Sequence, residues 1–427
     1  MSALTSFFAP LTLLTPQQRK TVVASYLGWM LDAFDFFILV FVLVEIAKEF
    51  GTTIESVSVA IFLTLAVRPI GALVFGLAAD RIGRRPVLMT SILLYSGLEF
   101  ASGFATDLTM LIVLRTLYGI VMGGEWGVGA SLAMETVPSK VRGLVSGILQ
   151  SGYPAGYLLA SLFFFLLFDH VGWRGLFMLG SLPALVVLFI RRNVDESPAF
   201  VERAKAGRKL SLGAVIKGNG KLIVWAALMM AAFNFMSHGT QDLYPTFLET
   251  QRHLDTSQVG LVAIVYNFGA VVGSIFFGGL SDRAGRRRSI AIAAILALPA
   301  LPLWAFGGSP AWLAVGGFLV QFCVQGAWGV VPVHLNELSP EAVRGTFPGL
   351  VYQTGNLIAS STVTLQAMLT AQLGGNYALA LALFGGAAAV AVTALVVLGP
   401  EAKGIGFGGS ARDRRANLRV VGGRHRS

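Results

Sequence analysis

The sequence is poor in charged residues, and this excludes a soluble globular fold. Only 13% of its 427 residues are Asp, Glu, Lys or Arg, whereas a soluble domain usually has about 25%. Cysteine is also scarce, because Cys323 stands alone. A single cysteine excludes an intramolecular disulfide and a multi-cysteine metal site, so we expect neither a metal nor a cofactor. Residues 1–20 have no basic region before their apolar stretch, and we expect no cleaved signal peptide.

Apolar residues are abundant and make up 55% of the sequence. They form runs of roughly 20 residues, the length of helix that crosses about 30 Å of hydrocarbon. Lipid excludes the open edges of β-sheets, so each run predicts a helix. We therefore predict an all-α membrane protein with twelve transmembrane helices, near residues 22–46, 57–79, 87–105, 109–133, 143–168, 174–192, 221–248, 257–279, 289–306, 311–334, 346–371 and 376–399.

Basic residues are concentrated in alternate loops between the predicted helices. Such loops lie in the cytoplasm of membrane proteins, so we place both termini there and the chain in the plasma (inner) membrane. This distribution accounts for the net charge of +10 without nucleic acid as a partner. The cytoplasmic set comprises Arg81, Arg84, Arg85, Lys140, Arg142, the run from Arg191 to Lys221, Arg283, Arg286, Arg287, Arg288, Arg344 and the tail arginines from Arg412 to Arg426.

The sequence repeats itself at one fixed spacing. The segment from Gly76 to Arg85 recurs from Gly278, Met134–Gly143 recurs as Asn336–Gly345, and Gly-Glu-Trp-Gly from Gly124 recurs as Gly-Ala-Trp-Gly, each 202 residues later. Three matches at one spacing predict two six-helix halves in parallel repeat. We therefore divide the chain into a first half at 1–192, a cytoplasmic linker at 193–220, a second half at 221–400 and a disordered basic tail at 401–427.

The loop sequence Gly-x-x-x-Asp-Arg-x-Gly-Arg-Arg, from Gly76, resembles the signature of the major facilitator superfamily. The resemblance covers residues 20–400 and implies twelve helices in two halves that rock around a midplane cavity. It also implies that charged loop residues lock the cytoplasmic gate. An alternative is that the loop arginines only fix the topology, but this leaves the repeated aspartates unexplained. The gate candidates are Asp80, Arg84, Glu135 and Arg142, with their counterparts Asp282, Arg286, Glu337 and Arg344.

Several charges lie inside predicted helices, where each costs roughly 2.5–3.5 kcal/mol. Arg68 falls near the midplane, and its guanidinium suits a carboxylate substrate; a permanent ion pair with Asp32 or Asp35 is the alternative. Glu125 and Arg115 have uncharged counterparts in the second half, which predicts a task that only the first half performs. We expect Asp35, Glu125 and Arg115 to assist proton coupling, with a structural role for Arg115 equally open, and we expect Glu99 to be interfacial.

The seventh helix carries a polar stripe formed by Asn234, His238, Gln241 and Asp242. A histidine with an aspartate one helical turn later is a candidate proton carrier in lipid. The alternative is that both residues only hold the helix by hydrogen bonds. Pro245 removes a backbone donor and is expected to bend the outer end of this helix.

The string from Asn234 to Thr246 resembles the signature of lactate permeases, a branch of the sialate:proton symporter family. Gln353-Thr-Gly-Asn356 resembles a second motif of that branch. The resemblance implies symport of a lactate-like or pyruvate-like monocarboxylate with a proton. It assigns His238 and Asp242 to transport and Arg68, Gln241, Gln353 and Asn356 to the substrate; we add Asn234, on the same stripe, to the substrate residues.

Other functions fit the sequence less well. Ser237 and His238 point about 100° apart on a helix and cannot serve as nucleophile and base, and no nucleotide-binding or hydrolase motif occurs, so we expect no enzyme. Symport of sialate or another organic anion remains an alternative. A drug:proton antiporter and a non-transporting nutrient sensor are less favoured. We expect a monomer in the bilayer.

Overall fold

The regular structure of the chain is entirely helical over the residues that the structure, a computed structural model, describes: 3–206 and 212–407. The helices form twelve spans, as predicted. Spans one to six, here the amino-terminal group, are Pro16–Glu49; Ile54–Ala66 with Arg68–Ile82; Arg84–Ser102; Leu108–Thr136; Arg142–Gln150 with Gly152–Leu179 as far as Gly172; and the remainder of that helix with Ala184–Asn193.

Spans seven to twelve, here the carboxy-terminal group, continue the pattern. They are Leu212–Gln241 with Tyr244–Thr250; Thr256–Ala284; Arg286–Phe306; Pro310–Gly329 with Val331–Leu338; Phe347–Ala359 with Thr362–Gln372; and Tyr377–Leu398. Short elements complete the described chain: the α-helices Ala3–Phe8 and Pro198–Lys205 and the 3₁₀ turns Ala9–Leu13, Ser139–Val141 and Glu341–Val343.

Eight helical stretches within these residues are long and apolar enough to cross a membrane. Pro16–Glu49, the first span, is not among them and carries Asp32 and Asp35 within its apolar stretch. The large apolar side chains that remain exposed, such as Phe165 at 81%, suit contact with lipid rather than water. The chain is therefore a multi-pass integral membrane protein.

Proline accompanies the breaks in several spans. The second span is interrupted at Val67, just before Arg68 and Pro69, and the seventh ends one helix at Gln241 and starts another at Tyr244. Proline has no backbone donor, so a carbonyl one turn earlier loses its helical partner and the helix breaks. The bend expected from Pro245 is confirmed.

Glycine allows the two groups to approach closely at one end of the bundle. A Cβ atom on Gly127 would lie only 2.7 Å from the Cα of Gly349, which belongs to the eleventh span. Membrane helices use small residues for such contacts, because dispersion requires a close approach of the backbones. Gly127 ends the repeated Gly-Glu-Trp-Gly segment, so part of the repetition preserves close packing.

The boundaries of the predicted linker and tail need correction. The linker at 193–220 contains the helix Pro198–Lys205, and its residues 207–211 lie outside the described chain. The tail was expected to be disordered from residue 401, which is wrong for 401–407, because Ala402 and Ile405 are buried and Phe407 packs on the bundle. These apolar side chains lie between glycines and have too little periodicity to be recognised. Residues 408–427 lie outside the described chain.

Truncation tests this corrected boundary. Removal of residues 408–427 should leave the melting temperature of the purified protein unchanged. The transport rate of this variant should stay within about twofold of that of the full chain. Removal of 401–427 should lower the melting temperature by several degrees, because burial of each large apolar side chain contributes about 1.5–3 kcal/mol. Phe407→Leu, which keeps apolar bulk, is the matched control. Equal melting temperatures for both truncations would show that 401–407 contributes nothing.

Candidate functional site

A cavity of about 170 Å³ lies beside the break in the seventh span. His238, Asp242 and Asn356 form its polar wall, and the side chains of His238 and Asp242 are about one-third exposed, at 31% and 34%. The remaining wall is mostly apolar and comes from the second and eleventh spans: Phe62, Leu65, Ala66, Leu357, Ala359, Ser360 and Val363. The cavity thus joins the two groups and places a small set of polar groups within an apolar wall, as ligand sites generally do.

His238 connects two of the predicted motifs. Its Nδ1 lies 3.2 Å from an oxygen of Asp242, one turn later, and its Nε2 lies 3.2 Å from Oδ1 of Asn356 in the eleventh span. The predicted proximity of His238 and Asp242 is therefore present, and the motif around Gln353 meets the motif of the seventh span. The neutral ring has one donor and one acceptor nitrogen, whereas the cation donates from both. Each neighbour presents an oxygen to the ring, so a doubly protonated ring would donate to both.

The other polar residues of the seventh span face the tenth. Gln241 donates to Oε1 of Gln321 at 2.8 Å, and Gln325 donates to the hydroxyl of Ser237 at 3.1 Å. Sequence reasoning missed Gln321 and Gln325, although two glutamines four residues apart in an apolar helix were a usable signal. Asn234 uses its amide donor within its own helix, on the carbonyl of Met230.

Gln353 lies in the eleventh span without using its acceptor. Its Oε1 is buried and has no hydrogen-bond partner among the described residues.

The eleventh span also contributes an aromatic contact between the groups. The ring centroid of Tyr352 lies 4.7 Å from that of Trp126 and 5.5 Å from that of Trp328. These two tryptophans are repeat counterparts, one from each group, and both contact the ring of Tyr352. The indole N–H of Trp328 is buried and also lacks a partner in the described chain.

Arg68 is a buried cation without a counter-ion. Its side chain is 4% exposed, and it forms no ion pair with any residue in the described ranges. Its contacts are the sulfur of Met122, 2.7 Å from Nη2, and the ring of Phe36, whose centroid is 5.1 Å from Cζ. A permanent pair with Asp32 or Asp35, the alternative to substrate contact, is absent from this conformation. Arg68 does not line the cavity, and its charge still acts at longer range on both Asp32 and His238.

Three carboxylates of the amino-terminal group are buried without partners. Asp32, Asp35 and Glu125 are at most 1% exposed, and none of their oxygens has a hydrogen-bond partner among the described residues. Glu125 packs against Gly28, where a Cβ atom would lie 2.5 Å from Oε1. A carboxylate ionised in such a place would carry a large uncompensated cost of desolvation. These acids are therefore suited to hold protons.

Glu99 and Arg115 form a tight pair beside these acids. Nη2 of Arg115 lies 2.5 Å from Oε2 of Glu99 and 2.9 Å from the hydroxyl of Ser102. Neither side chain is more than 1% exposed. The expectation that Glu99 is interfacial is therefore wrong: Arg115, not water, supplies its partner. The pair also gives Arg115 a structural contact within the amino-terminal group.

Two equivalent charge clusters close one end of the bundle, here the basic end. Asp80 accepts hydrogen bonds from the backbone of Gly345 and Thr346, at 2.9 and 3.0 Å. Its counterpart Asp282 accepts from the backbone of Gly143 and Leu144, at 2.8 and 2.9 Å. Each aspartate thus binds the loop of the opposite group. The repetition read from the sequence produces two copies of one contact.

Arginine–glutamate pairs reinforce these two contacts. Arg84 bridges Asp80 and Glu135, both at 3.1 Å, and its counterpart Arg286 bridges Asp282 at 2.8 Å and Glu337 at 3.0 Å. Two further pairs cross between the groups, Glu135 to Arg344 and Glu337 to Arg142, each at 3.5 Å. All eight predicted gate residues therefore belong to the two clusters.

Further residues of the clusters were not anticipated from the sequence. Glu196 accepts from the backbone N–H groups of Arg84 and Arg85, and Glu401 accepts from those of Arg286 and Arg287. Each glutamate follows the last span of its group and caps the start of a helix. The two are 205 residues apart rather than 202, so comparison at one fixed spacing did not pair them.

The sequence profile of the Major Facilitator Superfamily matches residues 26–251 and 242–422. A protein of Cupriavidus pinatubonensis described as a probable 4-methylmuconolactone transporter is 32% identical over 92% of both chains. The sialic acid transporter NanX of Escherichia coli is 29% identical over 90% of this chain and 93% of its own. A carboxylic acid transporter protein homolog of Saccharomyces cerevisiae is 29% identical over 83% of this chain, which covers 62% of that longer protein.

A solved structure shares the fold. The proton:xylose symporter XylE superposes with a TM-score of 0.75 over 94% of this chain and 99% of its own, at 17% sequence identity. This likeness concerns the arrangement of the helices. It agrees with the twelve spans described above.

Proposed function

The chain belongs to the major facilitator superfamily and is a transporter, not an enzyme, and from that premise we propose that it carries a small organic monocarboxylate together with a proton by alternating access. The unpaired Arg68 is the observation that carries the proposal. A guanidinium buried in the membrane needs a counter-ion, and a carboxylate fits its fork with two charge-assisted hydrogen bonds. No described acidic side chain pairs with Arg68 in this conformation, so the substrate would supply the anion.

Further donors surround the proposed position of the anion. Asn356 lines the cavity with His238, and Gln353 and Gln241 lie on the neighbouring eleventh and seventh spans. Amide groups and indole N–H groups suit the hydroxyl or keto oxygen that a lactate-like or pyruvate-like acid carries beside its carboxylate. Asn234 contributes less directly, because its donor is used within its own helix.

His238 and Asp242 are proposed to carry the coupled proton. They lie within hydrogen-bonding distance of each other, and both side chains line the cavity. A proton on the pair would lower the repulsion that Asp242 exerts on an incoming anion. One proton with one monocarboxylate makes transport electroneutral, so membrane potential alone would not drive it.

The buried acids form a second part of the proposed proton machinery. Asp35 and Glu125 have no partners among the described residues and would hold protons while they remain enclosed. Arg115, fixed by Glu99, supplies a nearby positive charge that would favour release of a proton when water enters. This division assigns substrate-dependent coupling to His238 and Asp242 and proton storage to the amino-terminal group.

The closed basic end is proposed to be the cytoplasmic gate. Its arginines follow the positive-inside rule, which places both termini in the cytoplasm of the cell and the chain in the plasma membrane. Residues 1–192 and 221–400 would move as two bodies, with 193–220 as their linker. Inward opening then requires the Asp80 and Asp282 contacts to break, and the cavity at His238 is reached from outside beforehand.

The size of the substrate separates two candidates. A cavity of about 170 Å³ favours a small acid over a nine-carbon sugar acid. Larger organic anions remain the second candidate, because the similar proteins include a probable 4-methylmuconolactone transporter and a sialic acid transporter. A cationic drug is a poor fit, because Arg68 would repel it. The carrier is proposed to act as a monomer, with the bilayer as its solvent.

Arg68→Lys tests the carboxylate clamp. Lysine keeps the charge but loses the planar fork, and a charge-assisted hydrogen bond contributes about 1.5–3 kcal/mol. Substrate affinity in the purified carrier should therefore fall by about tenfold or more. Arg252→Lys is the matched control, because Arg252 lies outside the cavity wall, where it donates to the carbonyl of Ala305 and packs over the ring of Phe247, and this variant should retain wild-type affinity. A clamp at Arg68 is refuted if both lysine variants bind equally well.

Uptake into proteoliposomes tests substrate class and coupling together. With an inward proton gradient, labelled lactate and pyruvate should accumulate, and substrate addition should alkalinise a weakly buffered exterior. Collapse of the gradient should reduce uptake to equilibration, while membrane potential alone should have no effect. Labelled sialate and a ring-bearing carboxylate serve as the comparison set. Accumulation of only these larger acids would select the second candidate, and accumulation that follows potential without any pH response would overturn proton symport.

A further inference from the structure

A second cavity, of about 200 Å³, lies at the basic end and outside the proposed transport site. We call it the seam pocket, because it lies where the carboxy-terminal half of the eighth span meets the start of the fifth. Its volume is several times the roughly 30 Å³ that one water molecule occupies in the liquid. The walls are Phe7, Pro10, Lys140, Leu144, Phe276, Gly279, Leu280, Asp282 and Arg283.

The seam pocket contains two basic side chains that form no ion pair within the described residues. Lys140 and Arg283 are both exposed, and neither side chain pairs with an acid among the residues that the structure describes. Asp282 also lines the pocket, but it is engaged by Arg286 and by the backbone of Gly143 and Leu144. The pocket therefore offers two free cations and one carboxylate whose hydrogen bonds are already made. An anionic occupant is favoured over a cation or a zwitterion.

An apolar track leads into the seam pocket from the membrane. Phe276 in the pocket wall is 43% exposed, and it continues a stripe on the outer face of the eighth span at spacings of three and four residues. Residues at this spacing share one face of a helix. The stripe consists of Leu261, Ile264, Phe268, Val272 and Phe276, each at least 37% exposed, and Arg283 follows two turns after its end.

The repeat provides an internal comparison. At the equivalent seam, around Asp80, the chain itself fills the space: Arg203 donates to the carbonyls of Asp80 and Glu341 from the linker helix Pro198–Lys205. The side chain of Asp80 is 0% exposed there, whereas that of Asp282 is 12% exposed. At the seam around Asp80, the linker helix fills the space. At the seam around Asp282, an open pocket with basic side chains remains beside the membrane.

We propose that the seam pocket binds the phosphate of an anionic phospholipid between Lys140 and Arg283, with an acyl chain along the apolar stripe of the eighth span. Lys140 belongs to the amino-terminal group and Arg283 to the carboxy-terminal group. A single phosphate bound by both therefore connects the groups across the closed end. The lipid stabilises the conformation in which Asp282 contacts Gly143 and Leu144, and release of the headgroup accompanies opening of that end.

Native mass spectrometry of the full-length carrier from nanodiscs tests this site. The discs contain phosphatidylcholine with a minor fraction of phosphatidylglycerol, and lipids that remain bound after transfer to detergent are identified and counted. The wild-type carrier should retain phosphatidylglycerol in preference to phosphatidylcholine. Each basic residue near a membrane surface changes binding about fivefold, so Lys140→Gln with Arg283→Gln should lower retention by more than tenfold. Arg81→Gln is the matched control, because Arg81 is the repeat counterpart of Arg283.

Two further measurements separate a lipid from a free anion. Phe276→Ser removes the end of the acyl track and should weaken retention of phosphatidylglycerol while both cations remain. Excess inorganic phosphate should not displace the lipid, and phosphatidylglycerol should raise the melting temperature of the wild-type carrier but not of the double variant. Equal retention by the double variant and by Arg81→Gln would overturn the site. Displacement by phosphate, with no effect of Phe276→Ser, would make it a soluble-anion site and refute the lipid.

Discussion

A charge buried in a membrane must be neutralised by a partner or by a proton, and this constraint organises the whole molecule. Where the chain supplies partners, it forms rigid contacts: Arg115 with Glu99, and the arginine–glutamate pairs of the basic end. Where it supplies none, we propose that function is concentrated. Among the described residues, Arg68 forms no ion pair and the carboxylate of Asp35 accepts no hydrogen bond, so an anion and a proton are the two species proposed to relieve these buried charges.

The same constraint explains how closure of one end is linked to the cavity. Asp80 and Asp282 hold backbone N–H groups of the opposite group, and arginines keep both aspartates in place. Close backbone packing, as at Gly127 and Gly349, accompanies these hydrogen bonds. The proposed alternating access requires this interface to separate when that end opens.

The sequence predicted the fold and the eight residues of the basic end, because repetition at 202 residues marks positions that are duplicated for one structural purpose. The i, i+4 spacing also predicted the contact of His238 with Asp242. Other contacts depend on which helices meet, and sequence spacing carries no such information: Glu99 with Arg115, Gln241 with Gln321, and the absence of an acid at Arg68. The packed segment 401–407 was missed because its few apolar residues follow no period.

Simultaneous measurement of proton and substrate flux in Asp242→Asn tests most directly whether His238 and Asp242 act as one proton-responsive unit. Asparagine retains a hydrogen-bond acceptor but carries no negative charge, so it resembles the protonated state of the pair. The variant should still exchange substrate across the membrane while losing accumulation driven by a proton gradient. If Asp242→Asn instead accumulates substrate with wild-type proton coupling, the two residues only hold the helix in place, and the proton must be carried elsewhere.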